Sequence, residues 1–156
     1  RQSVADTELV PACDSHIHQQ HGIALTADNL ALIHHRNGQP VKAIELYEKS
    51  LSIKQALRED LVGAQYSYEL ARGYVNLAAA YGRQESFTKA HALLQEGLQV
   101  TKSLTLGDGR NREHSELKAK VLEMLALVTE QLPDSNRFSC CLDYIRESVA
   151  IRKGLL

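Results

Sequence analysis

The sequence predicts an all-α fold, an α-α superhelix (solenoid) built from about three helical hairpins. Apolar residues recur at three-and-four spacing through most of the chain, which is the period of an amphipathic helix. Six such segments form three pairs, and similar side chains recur at the same places in successive pairs. No stretch of useful length shows the alternating pattern of a β-strand.

The first hairpin is expected at residues 14–58, after a tail at residues 1–13. Its second helix is predicted over Val41–Ile53, because the apolar residues of that segment share one helix face. The opposite, solvated face is expected to carry Glu45, Glu48, Lys49 and Lys54. Gly38 and Pro40 predict the turn before this helix, since glycine commonly ends a helix and proline is tolerated in its first turn.

The other two hairpins are expected at residues 63–104 and 112–153, on either side of the loop TLGDGRN. Their helices are predicted at about Gly63–Arg83, Ser86–Ser103, Arg112–Leu132 and Phe138–Arg152. Together with the first hairpin they form one domain over residues 14–156.

Composition excludes several classes of partner. The chain has 156 residues with 18 Lys and Arg against 19 Asp and Glu, so no excess of positive charge favours nucleic acid or an anionic membrane. Its least polar stretch, Gly73–Gly82, is about half as long as a membrane span.

The cysteines indicate the redox compartment. An odd number of cysteines, two of them adjacent, does not form a disulfide framework and favours a reducing, cytoplasmic setting. These are Cys13, Cys140 and Cys141.

The segment DSHIHQQHG resembles the metal site of a metal-dependent amidohydrolase, in which two imidazoles hold Zn²⁺. That fold needs a barrel of about 250 residues, and here no barrel strand is available to place His16 and His18 on one metal. The segment is expected to precede the first repeat and to begin, or extend backward, its first helix. His34 is about 20 Å beyond His21 along such a helix, too far to complete a coordination sphere. A metal-dependent hydrolase is therefore the third hypothesis; no catalytic residue, metal or cofactor is expected.

Small residues predict where the helices of each hairpin cross. The first helices place Ala31, Ala78 and Ala126 at corresponding positions, and the second helices place Ala43, Ala90 and Cys141. A large side chain at a close crossing would force the helices apart. Leucines are expected to fill the space beside each crossing, namely Leu30, Leu77 and Leu125. Successive hairpins repeat after 47 and then 51 residues, measured at Ala43, Ala90 and Cys141.

These positions resemble the tetratricopeptide repeat (TPR), over roughly residues 23–152. The second hairpin carries the pattern most clearly, with Tyr74, Leu77, Ala78 and Tyr81 followed by Phe87, Ala90 and Leu94. The third hairpin has three extra residues in its turn and is a degenerate or terminal repeat. The repeats are longer than the usual unit of about 34 residues. With Asn-Leu-Ala at 29–31 and 76–78, they are similar to those of kinesin light chains and of the Pins/LGN spindle adaptors.

The resemblance implies a concave groove, lined by the first helices, that binds a peptide or helix of a partner protein. Asn29 and Asn76 would hydrogen-bond the backbone of an extended peptide, since an amide both donates and accepts. Basic residues would border the groove and favour an acidic peptide, or else form an ordinary solvated face; they are Arg36, Arg72, Arg83 and Lys120. The clamp that binds chaperone tails in other TPR proteins is disfavoured, because Asp28 replaces its Lys and Leu32 its Asn.

The predicted function is therefore that of a non-catalytic protein-binding module, an adaptor or scaffold. The alternative is a structural or self-association module. This alternative rests on the final residues IRKGLL, where Leu155 and Leu156 are expected to be exposed with no polar capping helix. We expect the array either to continue in a longer protein or to form a homodimer through this last helix.

Overall fold

The computed structural model describes residues 10–57, 63–107, 111–133 and 136–156, which form helices and short turns without a β-strand. The helices are α1 (Val10–Arg36), α2 (Pro40–Ala56), α3 (Ala64–Arg83), α4 (Phe87–Gly107), α5 (Arg112–Glu130) and α6 (Arg137–Gly154). Each odd-numbered helix packs on the next to form a hairpin, and the second helix of one hairpin packs on the first helix of the following one. The predicted all-α solenoid of three hairpins is confirmed.

The first helix is longer at its start than the sequence predicts. It begins at Val10, within the segment expected to be a tail, and it includes the histidine-rich segment. Residues 1–9 of that tail lie outside the described residues. None of the described helices combines the length and apolar character needed to cross a membrane.

The turns of the first two hairpins share a characteristic hydrogen bond. The N–H groups of Gln39 and Ser86 each donate to the carbonyl five residues earlier, at 2.9 and 3.0 Å. This bond ends a helix when the preceding residue adopts the left-handed conformation. That residue is Gly38 in one turn and Glu85 in the other, with φ of 70° and 56°. In the third hairpin the corresponding residue is Pro133, whose ring holds φ at a negative value, so it does not adopt this left-handed conformation.

The small residues predicted at the helix crossings are at the helix contacts. The five alanines are almost completely buried: Ala31, Ala43, Ala78, Ala90 and Ala126. In the third hairpin the Sγ of Cys141 lies 3.2 Å from the carbonyl oxygen of Ala126, so these two residues are indeed opposite each other.

A second close approach lies two turns further along each hairpin. A Cβ atom at Gly97 in α4 would be 3.3 Å from the Cβ of Tyr74 in α3, so the helices touch there. Ser148 occupies the corresponding position in α6, and its hydroxyl donates to the carbonyl of Ala119 at 3.2 Å. Ser50, which is fully buried, occupies it in α2. The three hairpins therefore share one packing pattern, with a spacing of 47 and then 51 residues in the second helices.

Two predictions about the core are wrong. Lys54, expected on a solvated face, is only 1% exposed, because α3 covers that side of α2 and Gly73 leaves space for its side chain. Leu30, expected to fill the space beside a crossing, is 44% exposed. Its equivalent, Leu77, is buried because it faces α2 of the preceding hairpin, whereas no described helix precedes α1.

Candidate functional site

The first helices of the hairpins, α1, α3 and α5, lie side by side, with contacts from α1 to α3 and from α3 to α5. Equivalent positions on them recur after 47 and then 48 residues, as Ala31, Ala78 and Ala126 do. We call one row of equivalent positions the inner face. It consists of Leu25, Asn29, Leu32 and Arg36 in α1, of Arg72, Asn76, Ala79 and Arg83 in α3, and of Lys120, Met124 and Leu127 in α5.

A groove of about 400 Å³ lies between α3 and α5. It is lined by Tyr68, Arg72, Val75, Asn76, Glu113, Glu116, Leu117 and Lys120. Three of the six residues predicted to bind a partner, Arg72, Asn76 and Lys120, therefore line one depression. Val75 and Leu117, which also line the groove, are buried.

Aromatic contacts hold one wall of this groove. The guanidinium of Arg72 lies 5.9 Å from the centre of the Tyr68 ring, a favourable arrangement of a cation over an aromatic face. Tyr68 in turn contacts the His114 ring, with 5.8 Å between ring centres. The side chain of Asn111 accepts a hydrogen bond from the N–H of His114 at 3.3 Å and so caps the start of α5.

The groove contains charges of both signs. Arg72 and Lys120 contribute positive charge, and Glu113 and Glu116 contribute negative charge. Reasoning from the sequence missed the two carboxylates because they lie in the first turns of α5, before the segment that carries the repeat pattern. Arg72 lies near those turns of α5 because α5 packs beside α3, and the sequence alone does not indicate that packing.

The other three predicted residues lie elsewhere on the inner face. Asn29 and Arg36 are exposed on α1 and do not line this groove. The guanidinium of Arg83 donates to the carbonyl of His35 at 3.3 Å and joins the ends of α3 and α1. Burial lowers the pKa of His35, and the charge of Arg83 lowers it further.

Apolar side chains on the inner face were not predicted as site residues. Leu127 in α5 is 64% exposed, and Leu25 and Leu32 in α1 are also exposed. The repeat spacing aligns Leu25 with Arg72, and Leu32 and Leu127 with Ala79. The sequence could therefore have predicted that these leucines lie on the inner face. They add exposed apolar area to the inner face, in α1 and in α5.

The histidine-rich segment is tied to the second hairpin rather than lying apart from the repeats as expected. The Nε2 of His21 lies 2.6 Å from the Oε2 of Glu69, and its ring contacts the ring of Tyr66. Burial raises the pKa of Glu69, but hydrogen bonds from Gln65 and His21 outweigh this and lower it below its usual value. His21 therefore supports the packing of α1 on α3.

The groups considered for metal or thiol chemistry do not converge on a site in the described part of the chain. There, no three or more His, Cys, Asp or Glu side chains are grouped so that they can hold a metal ion, and His16 and His18 are exposed. Cys140 and Cys141 carry free thiols. Burial is the main cause that raises the pKa of Cys141, which disfavours the reactive thiolate.

Comparison with known families supports the repeat pattern. Residues 22–103, which span most of α1 to α4 and more than half of the chain, match a family model described as tetratricopeptide repeat. The matched segment includes the two hairpins with similar turns and the paired Asn-Leu-Ala triplets. No curated protein matches the chain at a significant level.

Proposed function

Because the chain belongs to the tetratricopeptide repeat family, we propose that it is a non-catalytic adaptor or scaffold module that binds a partner protein on its inner face. The observation that carries the proposal is the groove between α3 and α5, which gathers Asn76, Arg72 and Lys120 in one depression. The proposed setting is the cytoplasm, where the adjacent thiols of Cys140 and Cys141 would stay reduced.

Asn76 is the residue best placed to hold a peptide backbone. It is half-buried, and its amide can donate to a carbonyl and accept from an N–H of one extended peptide. A peptide that covers the groove would shield these hydrogen bonds from water. A peptide group that lost its partner there would be costly, so the contact would contribute affinity for many sequences.

Charge and exposed apolar area define the class of partner. Two cations and two carboxylates line the groove, which favours a segment carrying both signs of charge over a uniformly acidic one. An acidic preference is proposed only for the part of the inner face that carries Arg36 and Arg83, at the ends of α1 and α3. Apolar partner residues would contact Leu32 at one end of the inner face and Leu127 at the other.

A pulldown with the purified protein, followed by calorimetric titration of the peptide identified, tests this function. Asn76→Ala should weaken binding by roughly 1 to 3 kcal/mol, because it leaves a peptide group unpaired in a partly dry groove. Asn29→Ala should weaken it less, since Asn29 is exposed and outside the groove. Gln95→Ala, an exposed change on α4, is the matched control and should leave binding unchanged.

Melting curves of the same variants would show that each remains folded. If Asn76→Ala and Leu127→Ser both bind the peptide as tightly as the wild type, the inner face is not the binding surface.

The second candidate function is self-association through α6. Its support is an exposed apolar row on that helix, formed by Leu142, Ile145 and Val149. Leu155 and Leu156 follow at the end of the helix, and Leu156 is fully exposed. Exposed apolar rows of this kind commonly mark contacts with another protein surface.

A further inference from the structure

The exposed row on α6 corresponds to positions that are buried in α2 and, except for His91, in α4. We call Leu142, Ile145 and Val149 the α6 stripe. At the equivalent positions α2 has Ile44, Tyr47 and Leu51, and α4 has His91, Leu94 and Leu98. Within the described chain α6 packs only on α5, so its stripe is uncovered.

In α2 and α4, these positions form the contact with the next hairpin. Ile44, Tyr47 and Leu51 share a buried cluster with residues of α3, namely Leu70, Tyr74 and Leu77. Leu94 and Leu98 share another with residues of α5, namely Leu117, Val121 and Leu125. The α6 stripe is therefore one half of an interface that the chain already makes twice.

The other half of that interface lies at the opposite end of the solenoid. Ile23, Leu30 and Ile33 in α1 occupy the positions that Leu70, Leu77 and Ala80 have in α3; we call these three the α1 stripe. All three are exposed, although their equivalents in α3 are buried against α2. Beside the stripe, a groove of about 480 Å³ runs between α1 and α2 and is lined by Ile23, Ala27, Leu30 and Leu46 among others.

We propose that the α6 stripe of one copy packs on the α1 stripe of a second copy, so that copies associate head to tail. The contact would repeat the way α2 packs on α3, with apolar side chains at the same positions, and more loosely the way α4 packs on α5, where His91 and Lys118 occupy two of those positions. An α6-to-α6 contact would instead join two second-helix surfaces, a pairing for which the described chain offers no example. The proposal is independent of the inner-face groove.

The polar residue beside the α6 stripe also has a counterpart at the internal interface. Arg152 occupies the position of Lys54, which α3 covers, and its guanidinium makes two hydrogen bonds to Glu123, at 2.7 and 3.1 Å. It would therefore enter the interface already paired, which lessens the cost of removing its charge from water. Thr26 of the second copy would take the place of Gly73, which faces Lys54 at the internal interface.

Because the two joined surfaces differ, the contact does not close on itself. After two copies associate, one α6 stripe and one α1 stripe remain uncovered at the ends, and further copies can add to them. The average size should therefore rise continuously with protein concentration and should not stop at a dimer.

Two single variants and their mixture test this arrangement by sedimentation velocity over a wide range of concentration. Ile145→Arg blocks the α6 stripe, and Leu30→Arg blocks the α1 stripe; both side chains are exposed, so each variant should fold, as circular dichroism would verify. We expect the wild type to form a growing series, and each variant alone to stay monomeric. An equimolar mixture should form a 1:1 dimer and nothing larger. Leu106→Arg, at an exposed position on α4 outside both stripes, is the matched control and should assemble like the wild type.

Three results would overturn the proposal. One is a wild type that stays monomeric at every concentration. Another is dimerisation of Leu30→Arg alone while Ile145→Arg stays monomeric, which would indicate an α6-to-α6 contact. The third is a mixture of the two variants that contains no dimer. None of these results depends on peptide binding, so they leave the groove function to be judged by its own titration.

Discussion

Lys54 and Asp28 form an ion pair beneath α3, and the same two positions in the third hairpin hold a second pair that no described helix covers. Asp28 and Glu123 are equivalent in the first helices, as Lys54 and Arg152 are in the second helices. The Lys54 and Asp28 side chains are 1% and 17% exposed, whereas those of Arg152 and Glu123 are 50% and 39% exposed. The ion pair at these two positions is thus buried in the first hairpin and exposed in the third. This difference in burial decides how strongly each pair affects the stability of the fold.

The first prediction compares these two pairs. Asp28→Ala should lower the free energy of unfolding by roughly 3 to 5 kcal/mol, because it leaves a buried charge on Lys54 without its partner. Glu123→Ala should have a much smaller effect, since water screens the exposed pair. Urea denaturation of both variants measures the difference, and Asp28→Ala/Lys54→Met should recover most of the loss. Equal losses for the two single variants would show that burial does not govern the pair.

The helices and their crossings could be predicted because they depend on local periodicity and on residue size. Ala90 and Cys141 differ chemically, but both are small, and size is what a close helix crossing requires. The contact of Cys141 with Ala126 shows that even the degenerate third hairpin keeps the expected alignment.

Features that depend on packing between hairpins could not be predicted. A lysine at the edge of an amphipathic pattern normally lies in water, and nothing local to Lys54 indicates that α3 covers it. Likewise, Glu113 and Glu116 belong to the groove only because α5 packs beside α3. The exposure of Leu30 depends on whether a helix precedes α1, which the repeat pattern alone does not indicate.

The second prediction concerns the two equivalent turns. Glu85 has φ of 56°, a left-handed conformation that costs a residue with a side chain about 1 to 2 kcal/mol. Glu85→Gly removes that cost and loses only part of the gain to the greater freedom of glycine in the unfolded chain, so stability should rise by roughly 0.5 kcal/mol.

Gly38→Ala is the opposite change at the equivalent position, and it should lower stability. A Cβ atom at Gly38 would meet nothing within 4 Å, so the effect would come from backbone conformation and not from a clash. Thermal and urea melts of both variants provide the comparison. Changes of the same sign in the two variants would contradict the shared turn geometry.

The third prediction concerns the pH dependence of stability at Glu69. Its pKa in the folded protein is lower than the usual 4.5, because hydrogen bonds from Gln65 and His21 outweigh the effect of burial. A carboxyl group whose folded pKa is depressed contributes stability above its unfolded pKa and loses that contribution as the pH falls through the folded pKa. Wild-type stability should therefore decline more than that of Glu69→Gln as the pH is lowered from above 4.5 into that range.

Urea melts at a series of acidic pH values measure this difference. Glu45→Gln, at an exposed position on α2, is the control and should follow the wild-type curve. Parallel curves for the wild type and Glu69→Gln would mean that the contacts of Glu69 do not favour its ionised form.

The last prediction uses the helix crossings of the second and third hairpins. Ala90 is completely buried between α4 and α3, and α5 packs on α4 as well, so Ala90→Leu has no space to relax. It should lower the free energy of unfolding by roughly 1 to 3 kcal/mol. Cys141→Leu should cost less, because Cys141 is only half-buried and α6, which packs on α5 alone in the described chain, can shift outward. Gln95→Leu places the same side chain at an exposed position of α4 and should change stability little. Urea melts give the order of the three variants, and a larger loss for Cys141→Leu than for Ala90→Leu would mean that the third crossing is the tighter one.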